Sequence, residues 1–461
     1  MCGVLGIHAP GRDVARLAYF GLFALQHRGQ ESAGIAVAEG PQVTVLRDMG
    51  LVTQVFSEEK LRGLHGGAAI AHCRYSTTGG ARWANAQPIV HHGPVRTVAL
   101  GHNGNLTNAA DLREELRERG VKLRSSSDTE VIAALLAHDE RPLEDAVAAT
   151  SARLEGAFTV VVLAGGKLVG FRDAHGIRPL VIGRLGDDTV LASETCALDL
   201  LGARFVREVE PGEVVLVDER GIRTLAGPAR RADAALCIFE FIYLARPDTK
   251  LRGVELHGAR ARMGERLAEE APVAADVVIP IPDSGTPAAI GFARASGIPF
   301  DEGLIKNRYV GRTFIQPDQA LREHGIKTKF NPLADVGGKR VVVVDDSIVR
   351  GTTIRQIVAM LFDEGADEVH VRVSSPPIVS PCFYGIDMAT EDELIAAGRT
   401  VEEVRRAIGA TSLAYLSLEG LQAATRRPDG TFCRACLTRR YPTAVPDARA
   451  LAKDRFEAAR R

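Results

Sequence analysis

Two groups of residues in this 461-residue chain have types and spacing that could do chemistry. The first is VVVVDDSIVRGTT, Val341 to Thr353. Four β-branched valines read as a strand buried on both faces, as in the middle of a parallel sheet. Asp345 and Asp346 stand at its C-terminal end, and a short loop of hydroxyl residues and glycine runs into the helical spacing of Ile354 to Leu361. A helix N-terminus offers unpaired N–H groups and a partial positive charge, so a phosphate settles there. Gly351 allows close backbone approach, and Ser347, Thr352 and Thr353 add hydroxyl donors. The aspartates would repel a phosphate. They are instead suited to sugar hydroxyls and to a Mg²⁺ ion. The plainer alternative is a buried strand that ends in an acidic turn.

A second strand pattern, Val277 to Pro280, delivers a similar loop with Asp283, Ser284, Gly285 and Thr286. Two such loops on neighbouring parallel strands face one crevice. The 281–287 loop suits a pyrophosphate and its Mg²⁺, making Ser284 a candidate metal ligand beside Asp345 and Asp346; the later loop suits a sugar 5-phosphate. A purely structural turn is the alternative for the earlier loop. Between them lies a basic, aromatic run, Lys306 to Phe314, followed by Arg322, Lys327 and Lys329. It reads either as a lid over a polyphosphate or as a solvated loop.

The second group begins at Cys2. If Met1 is removed, the α-amine of Cys2, with an ordinary pKa near 8, becomes a base for its own thiol, an N-terminal nucleophile. Here only Met1 precedes the cysteine, so methionine removal is expected to suffice. Arg74 can hold a carboxylate bidentately and Asp128 an ammonium, which together recognise an α-amino acid. Asn103 and the N–H of Gly104 could form an oxyanion hole. Taken singly, Asn103-Gly104 reads equally as a hairpin turn and Arg74 as a surface ion pair. The segments Phe171 to Leu180 and Ser193 to Thr195 are read as packing.

These groups need elements to place them. The length implies two or three domains. Hydrophobic residues are 46%, charged ones 25% and the net charge is −1, which excludes a field for nucleic acid or anionic membrane. No apolar run has membrane-span length, and no basic-then-apolar leader is seen, so a cytoplasmic location is expected. Strands are expected at 35–37, 98–100, 158–163 and 214–217, a helix start at Ser127 to Glu130, helical spacing from about Leu251 to Glu270, and a linker at Gly227 to Ala232. The tail after Tyr441 reads as a surface helix or disordered. Seven scattered cysteines argue against a disulfide framework. Cys433 and Cys436 have C-x-x-C spacing, while Cys237 and Cys382 are distant; four thiolates bind Zn²⁺ or a [4Fe–4S] cluster, and spacing alone does not choose. Cys73 and Cys196 read as core cysteines.

Residues 2–230, through Cys2, Gln26 to Gln30, Arg74-Tyr75-Ser76-Thr77, Gly101-His102-Asn103-Gly104 and Ser127-Asp128-Thr129-Glu130, resemble the class II glutamine amidotransferase domains. Residues 231–461, through Val341 to Thr353, resemble the type I phosphoribosyltransferases, and the pairing in this order resembles the glutamine phosphoribosyl-pyrophosphate (PRPP) amidotransferase family. The resemblance implies an αββα four-layer sandwich of the N-terminal nucleophile type, followed by an α/β domain with a central parallel sheet. It implies that Cys2 releases ammonia from glutamine, and that the ammonia travels internally to C1 of PRPP in the first committed step of purine synthesis. It adds Arg308, Lys329 and Arg350 to the PRPP-binding residues. The contexts of Cys237, Cys382, Cys433 and Cys436 resemble the iron–sulfur branch, implying a structural [4Fe–4S] cluster. That branch often carries a short propeptide, from which this sequence departs. A homo-oligomer, expected to be a tetramer, and feedback inhibition by purine nucleotides are further implications.

Overall fold

A computed structural model of the chain describes residues 2–225, 234–307, 329–388, 390–445 and 456. The first half contains two antiparallel sheets. One has seven strands in the order Arg204–Glu208, Val181–Leu185, Asp188–Ala192, Gly3–His8, Ala68–Arg74, Ser32–Glu39 and Gln42–Met49. The other has six, in the order Gly221–Leu225, Val214–Asp218, Lys167–Arg172, Gly156–Ala164, Thr97–Leu106 and Ile89–His92. Their inner faces meet through Val4, Ile70, Ala99, Val161, Leu191 and Val215. Helices Val14–Ala24 and Thr195–Leu201 cover the outside of the first sheet, and Ala109–Glu118, Asp128–Ala137 and Leu143–Arg153 that of the second. The αββα sandwich is therefore present. Because both faces of the central strands are covered, Gly156–Ala164 is buried at every position. Each buried Val or Phe there contributes about 1.5–3 kcal/mol.

The second half is built on four parallel strands, Val277–Pro280, Arg340–Asp345, Glu368–Val373 and Ser412–Tyr415, adjacent in that order. Alternation along the valine strand sorts the packing. Val342 and Val344 face helices Leu256–Glu270 and Thr286–Ser296, while Val341 and Val343 face Thr352–Asp363 and Val401–Ile408. Leu304–Lys306 and Phe330–Pro332 form a two-stranded antiparallel ribbon. At the domain's edge, Leu236–Cys237 pairs in parallel with Phe432–Cys433, fastening the late chain to its entry segment.

The helix expected from about Leu251 begins instead at Leu256. Lys250–Leu251 turns back onto Val254–Glu255 through Arg252 and Gly253, both at positive φ, a hairpin geometry that helical spacing does not disclose. The expected linker and the 230/231 boundary lie outside the described residues, as do Arg308, Arg312, Arg322, Lys327 and the tail from 446 apart from Phe456. Among the described residues no helix is long and apolar enough to cross a membrane.

Candidate functional site

Cys2 leads directly into the strand Gly3–His8 and is 7% exposed. Its backbone is held at both ends. The nitrogen donates to Asn103 Oδ1 at 3.2 Å, and the carbonyl accepts from Arg28 Nε at 3.0 Å. The sulfur lies 3.5 Å from both the nitrogen and the carbonyl oxygen of Tyr75. Asn103 and Gly104 are not a hairpin turn. They sit inside the strand Thr97–Leu106, opposite Thr159 and Phe158.

Asn103 is 1% exposed, and among the described residues its Nδ2 has no acceptor. Leaving a buried amide N–H unpaired costs about 1–3 kcal/mol, an expense consistent with a donor reserved for a ligand. Gly104 has φ +151°, and a Cβ there would lie 2.0 Å from the Ala157 carbonyl oxygen, so no side chain fits.

Arg74 ends the strand Ala68–Arg74 and is buried, not a surface pair. Its guanidinium donates to the carbonyls of Thr78, Gly79 and Gly80, each at 3.1 Å, and lies 3.5 Å from Glu31, shaping the loop after Tyr75. Asp128 opens its helix behind the cap Ser127, as the sequence indicated. One oxygen accepts from the Leu106 nitrogen at 3.0 Å, and the other lies 3.7 Å from His102 Nδ1. Burial lowers the pKa of His102, with Asp128 opposing, and lowers that of His72 to about 3.

The second constellation lies at the C-terminal ends of two neighbouring parallel strands. Asp345 closes its strand, and the Asp346 nitrogen donates to its carboxylate at 2.9 Å. Burial raises the pKa of both carboxyls; the Asp346 charge adds to the rise at Asp345, while hydrogen bonds from Ser284 and Ser347 and the nearby Arg260 moderate it at Asp346. Ser284 therefore reaches across from the neighbouring loop. That closeness has a steric basis: a Cβ on Gly285 would lie 2.5 Å from the Val344 carbonyl oxygen. Tyr415 places a buried hydroxyl, without a partner among the described residues, near the same acidic pair. Asp283 pairs with Lys306 at 2.5 Å.

Gly351 caps the helix Thr352–Asp363 at φ +77°, and a Cβ there would meet Ile395 at 2.2 Å. Thr352 and Thr353 are thereby the helix's first residues. Arg350 pairs with Glu393 at 2.6 Å. Lys329 lies at the foot of the ribbon, its ammonium 5.3 Å from the Phe330 ring centroid.

Residues 381–388 pack against the first constellation, and the charge of Asp387 also acts on Arg350 of the second. Asn105 Nδ2 donates to the Phe383 carbonyl at 2.9 Å, and the Tyr75 hydroxyl donates to Asp387 at 3.4 Å. At Gly385, φ is +102°, and a Cβ would come within 3.0 Å of the Gly104 carbonyl.

Cys382 roots that segment. It shares one enclosed cavity with Cys237, Cys433 and Cys436, walled by Tyr384 and Tyr441. All four are free thiols. Burial pushes Cys237 up to about 11, with Arg178 opposing, and raises Cys433 and Cys436 as well. Among the described residues no group of three or more His, Cys, Asp or Glu is placed to hold a metal ion. Cys73 and Cys196 lie in the helix-covered core of the first domain, as expected.

Arg28 lies in the Gln26–Gln30 segment and Arg178 and Glu194 in segments read as packing; what the sequence did not disclose is that these three and Glu240, their side chains all without solvent exposure, form ion pairs with one another. The available signal was a lone charge inside an apolar run, as in Phe239-Glu240-Phe241.

Family models for a glutamine amidotransferase domain and a phosphoribosyl transferase domain match residues 72–200 and 256–375. The chain is thus a two-domain enzyme that joins these two classes of catalyst. The amidophosphoribosyltransferase of Synechococcus elongatus is 52% identical over 454 residues, covering 97% of this chain and 92% of that protein. That of Bacillus subtilis is 47% identical, covering 96% and 94%. The solved B. subtilis glutamine PRPP amidotransferase, complexed with ADP and GMP, superposes with a TM-score of 0.91 at 46% identity, covering 97% of this chain and 98% of that one. The chain belongs to the amidophosphoribosyltransferase family.

Proposed function

We propose that this protein hydrolyses glutamine at Cys2 and transfers the released ammonia to C1 of PRPP, giving 5-phosphoribosylamine, glutamate and pyrophosphate for purine synthesis. The observation that carries the reading is the contact of residues 381–388 with Tyr75, Gly104 and Asn105, together with the action of Asp387 on Arg350, which supports a close approach of the two chemistries. Ammonia released into bulk water near pH 7 would be protonated and lose its nucleophilic lone pair, so a shared interior has a chemical purpose.

In this reading Met1 is removed and the α-amine of Cys2 accepts the thiol proton as sulfur attacks the carboxamide carbon. Asn103 Nδ2 and the Gly104 N–H receive the developing oxyanion. Ammonia leaves, and water releases glutamate from the thioester. Arg74 takes the substrate carboxylate and Asp128 its ammonium, roles that rest on the family resemblance. At the second site Thr352 and Thr353 bind the 5-phosphate, Asp345 and Asp346 the ribose hydroxyls, and the 283–286 loop the pyrophosphate, with Arg308, Lys329 and Arg350 completing the pocket.

Ser284, Asp345 and Asp346 would hold Mg²⁺, and the raised carboxyl pKa values fit a pair that needs a cation. The ion would neutralise the leaving pyrophosphate. For the cysteines we favour [4Fe–4S] over zinc. Four free thiols line one cavity, and the resemblance of their sequence contexts to the iron–sulfur branch is what favours the cluster. Its part would be structural, tying the late chain to residues 237 and 382. Purine nucleotides, such as the ADP and GMP bound by the B. subtilis protein, are the proposed feedback ligands.

The test is PRPP-dependent release of glutamate and pyrophosphate by anaerobically purified protein, beside Cys2→Ala supplied with glutamine or ammonia. The reading expects the variant to lose glutamine use and keep ammonia use. A wild type that releases no pyrophosphate with either nitrogen source would overturn it.

A further inference from the structure

Arg28 is the hub of a charge cluster sealed between the two domains. Its Nε holds the Cys2 carbonyl, and its two terminal nitrogens donate to the two oxygens of Glu240 at 2.8 and 3.1 Å. The same guanidinium also pairs with Glu194. Arg178 lies 3.6 Å from Glu240, and Glu194 accepts from the Arg246 nitrogen at 2.9 Å and the Thr249 hydroxyl at 2.7 Å.

The charges divide unequally between the domains. Arg28, Arg178 and Glu194 belong to the first domain, which by itself would bury two guanidinium groups against one carboxylate; His27, beside Glu194, is partly exposed. Glu240 of the second domain supplies the second carboxylate facing Arg28 and Arg178, and Arg260 of the same domain, also buried, adds a cation beside it. A buried cation short of counter-charge is unfavourable, and with Glu194 as its remaining carboxylate Arg28 would be held less firmly on the Cys2 carbonyl without Glu240.

The local backbone shows why Glu240 is there. It begins the π-helical turn Glu240–Leu244, between the buried rings of Phe239 and Phe241. Arg260 fixes this turn from the helix Leu256–Glu270 by donating to the carbonyls of Phe241 at 2.8 Å and Ala245 at 2.7 Å. π-Turns are frequent at functional sites.

Resting on the function proposed above, we propose that Glu240 is a positioning residue for the glutamine site, supplied by the phosphoribosyltransferase domain. A nucleophile whose base is its own amine must keep the N–Cα–Cβ–S arrangement. Asn103 holds the nitrogen end and the Arg28–Glu240 pair holds the carbonyl end. Displacement by about 1 Å costs on the order of 10²-fold in rate.

The experiment compares Glu240→Gln and Glu240→Asp in the full chain. Glu240→Gln keeps the shape but removes the charge. It should lower kcat with glutamine by about 10- to 100-fold, leave KM for glutamine near wild type, and leave ammonia-dependent pyrophosphate release unchanged. The pH profile of Cys2 alkylation by iodoacetamide, followed by peptide mass spectrometry, should shift in the same variant. Glu240→Asp keeps the charge and should restore much of that profile. An unshifted profile with unchanged kcat would overturn the proposal. So would a parallel loss of glutamine and ammonia use in both variants, which would make Glu240 a support of the fold. Failure of wild type with either nitrogen source would instead sink the functional reading, and the Cys2 alkylation profiles would still judge Glu240.

Discussion

Asn103→Asp isolates the unpartnered donor of Asn103. The substitution is nearly isosteric and keeps an oxygen for the Cys2 nitrogen, now 3.2 Å away, but it replaces the buried Nδ2 donor with an acceptor. Removing one oxyanion donor costs about 10²–10³ in kcat, or about 2.7–4 kcal/mol of transition-state stabilisation. The loss should fall at the upper end. At 1% exposure the new carboxylate is poorly solvated, and it faces the developing negative charge instead of pairing with it. Glutamate release from glutamine should therefore fall about 10³-fold, with KM for glutamine little changed, because the oxyanion exists only beyond the ground state. Ammonia-dependent pyrophosphate release reports on the other domain and shows whether the protein is intact. Retention of glutamine use within about threefold, a barrier change below 1 kcal/mol, would refute the assignment of Asn103 Nδ2 to the oxyanion.

Gly351→Ala forces a β-carbon into φ +77° and into Ile395, so the helix start at Thr352 should shift. A cost of about 1–3 kcal/mol should lower the melting temperature and raise KM for PRPP, leaving PRPP-independent glutaminase intact; an unaltered KM would contradict a phosphate site at this cap. Asp345 and Asp346 have folded-state pKa values above their unfolded ones, so the folded state binds more protons. Their effect favours folding at pH below the ordinary carboxyl range and turns against it as pH rises from there toward the raised values. Mg²⁺ should therefore raise the melting temperature more at pH 8 than at pH 5, and Asp346→Asn should remove the difference; equal shifts at both pH values would argue against a metal at this pair. Protein purified without oxygen should contain iron and acid-labile sulfide in equal amounts, and Cys436→Ala should lose both, whereas stoichiometric zinc would overturn the cluster.

Much of both sites could be read along the chain because their chemistry is local. The valine strand, its two aspartates and the glycine cap are contiguous, and the buried strand and helix N-terminus that present them follow from residue type alone. Ser127 and Asp128 were legible as a helix start for the same reason. The hairpin at Arg252 and Gly253 was not, because helical spacing continues across it in the sequence. The 281–287 loop was legible as a loop, but its closeness to Asp346 depends on the parallel pairing of Val277–Pro280 with Arg340–Asp345.

The sequence by itself determined which residues can react: an early cysteine, an acidic pair at a strand end, and a C-x-x-C near the C-terminus. Only the tertiary structure decided which distant residues complete them. Cys237 meets Cys433 through a parallel pairing of two short strands, and Arg28 meets Glu240 across 212 positions. Periodicity reports which face of an element is apolar, and it carries no term for a charge that must be neutralised by another domain. Glu240 is tolerated between two phenylalanines because Arg28 and Arg178, distant in the chain, meet its carboxylate in the folded protein.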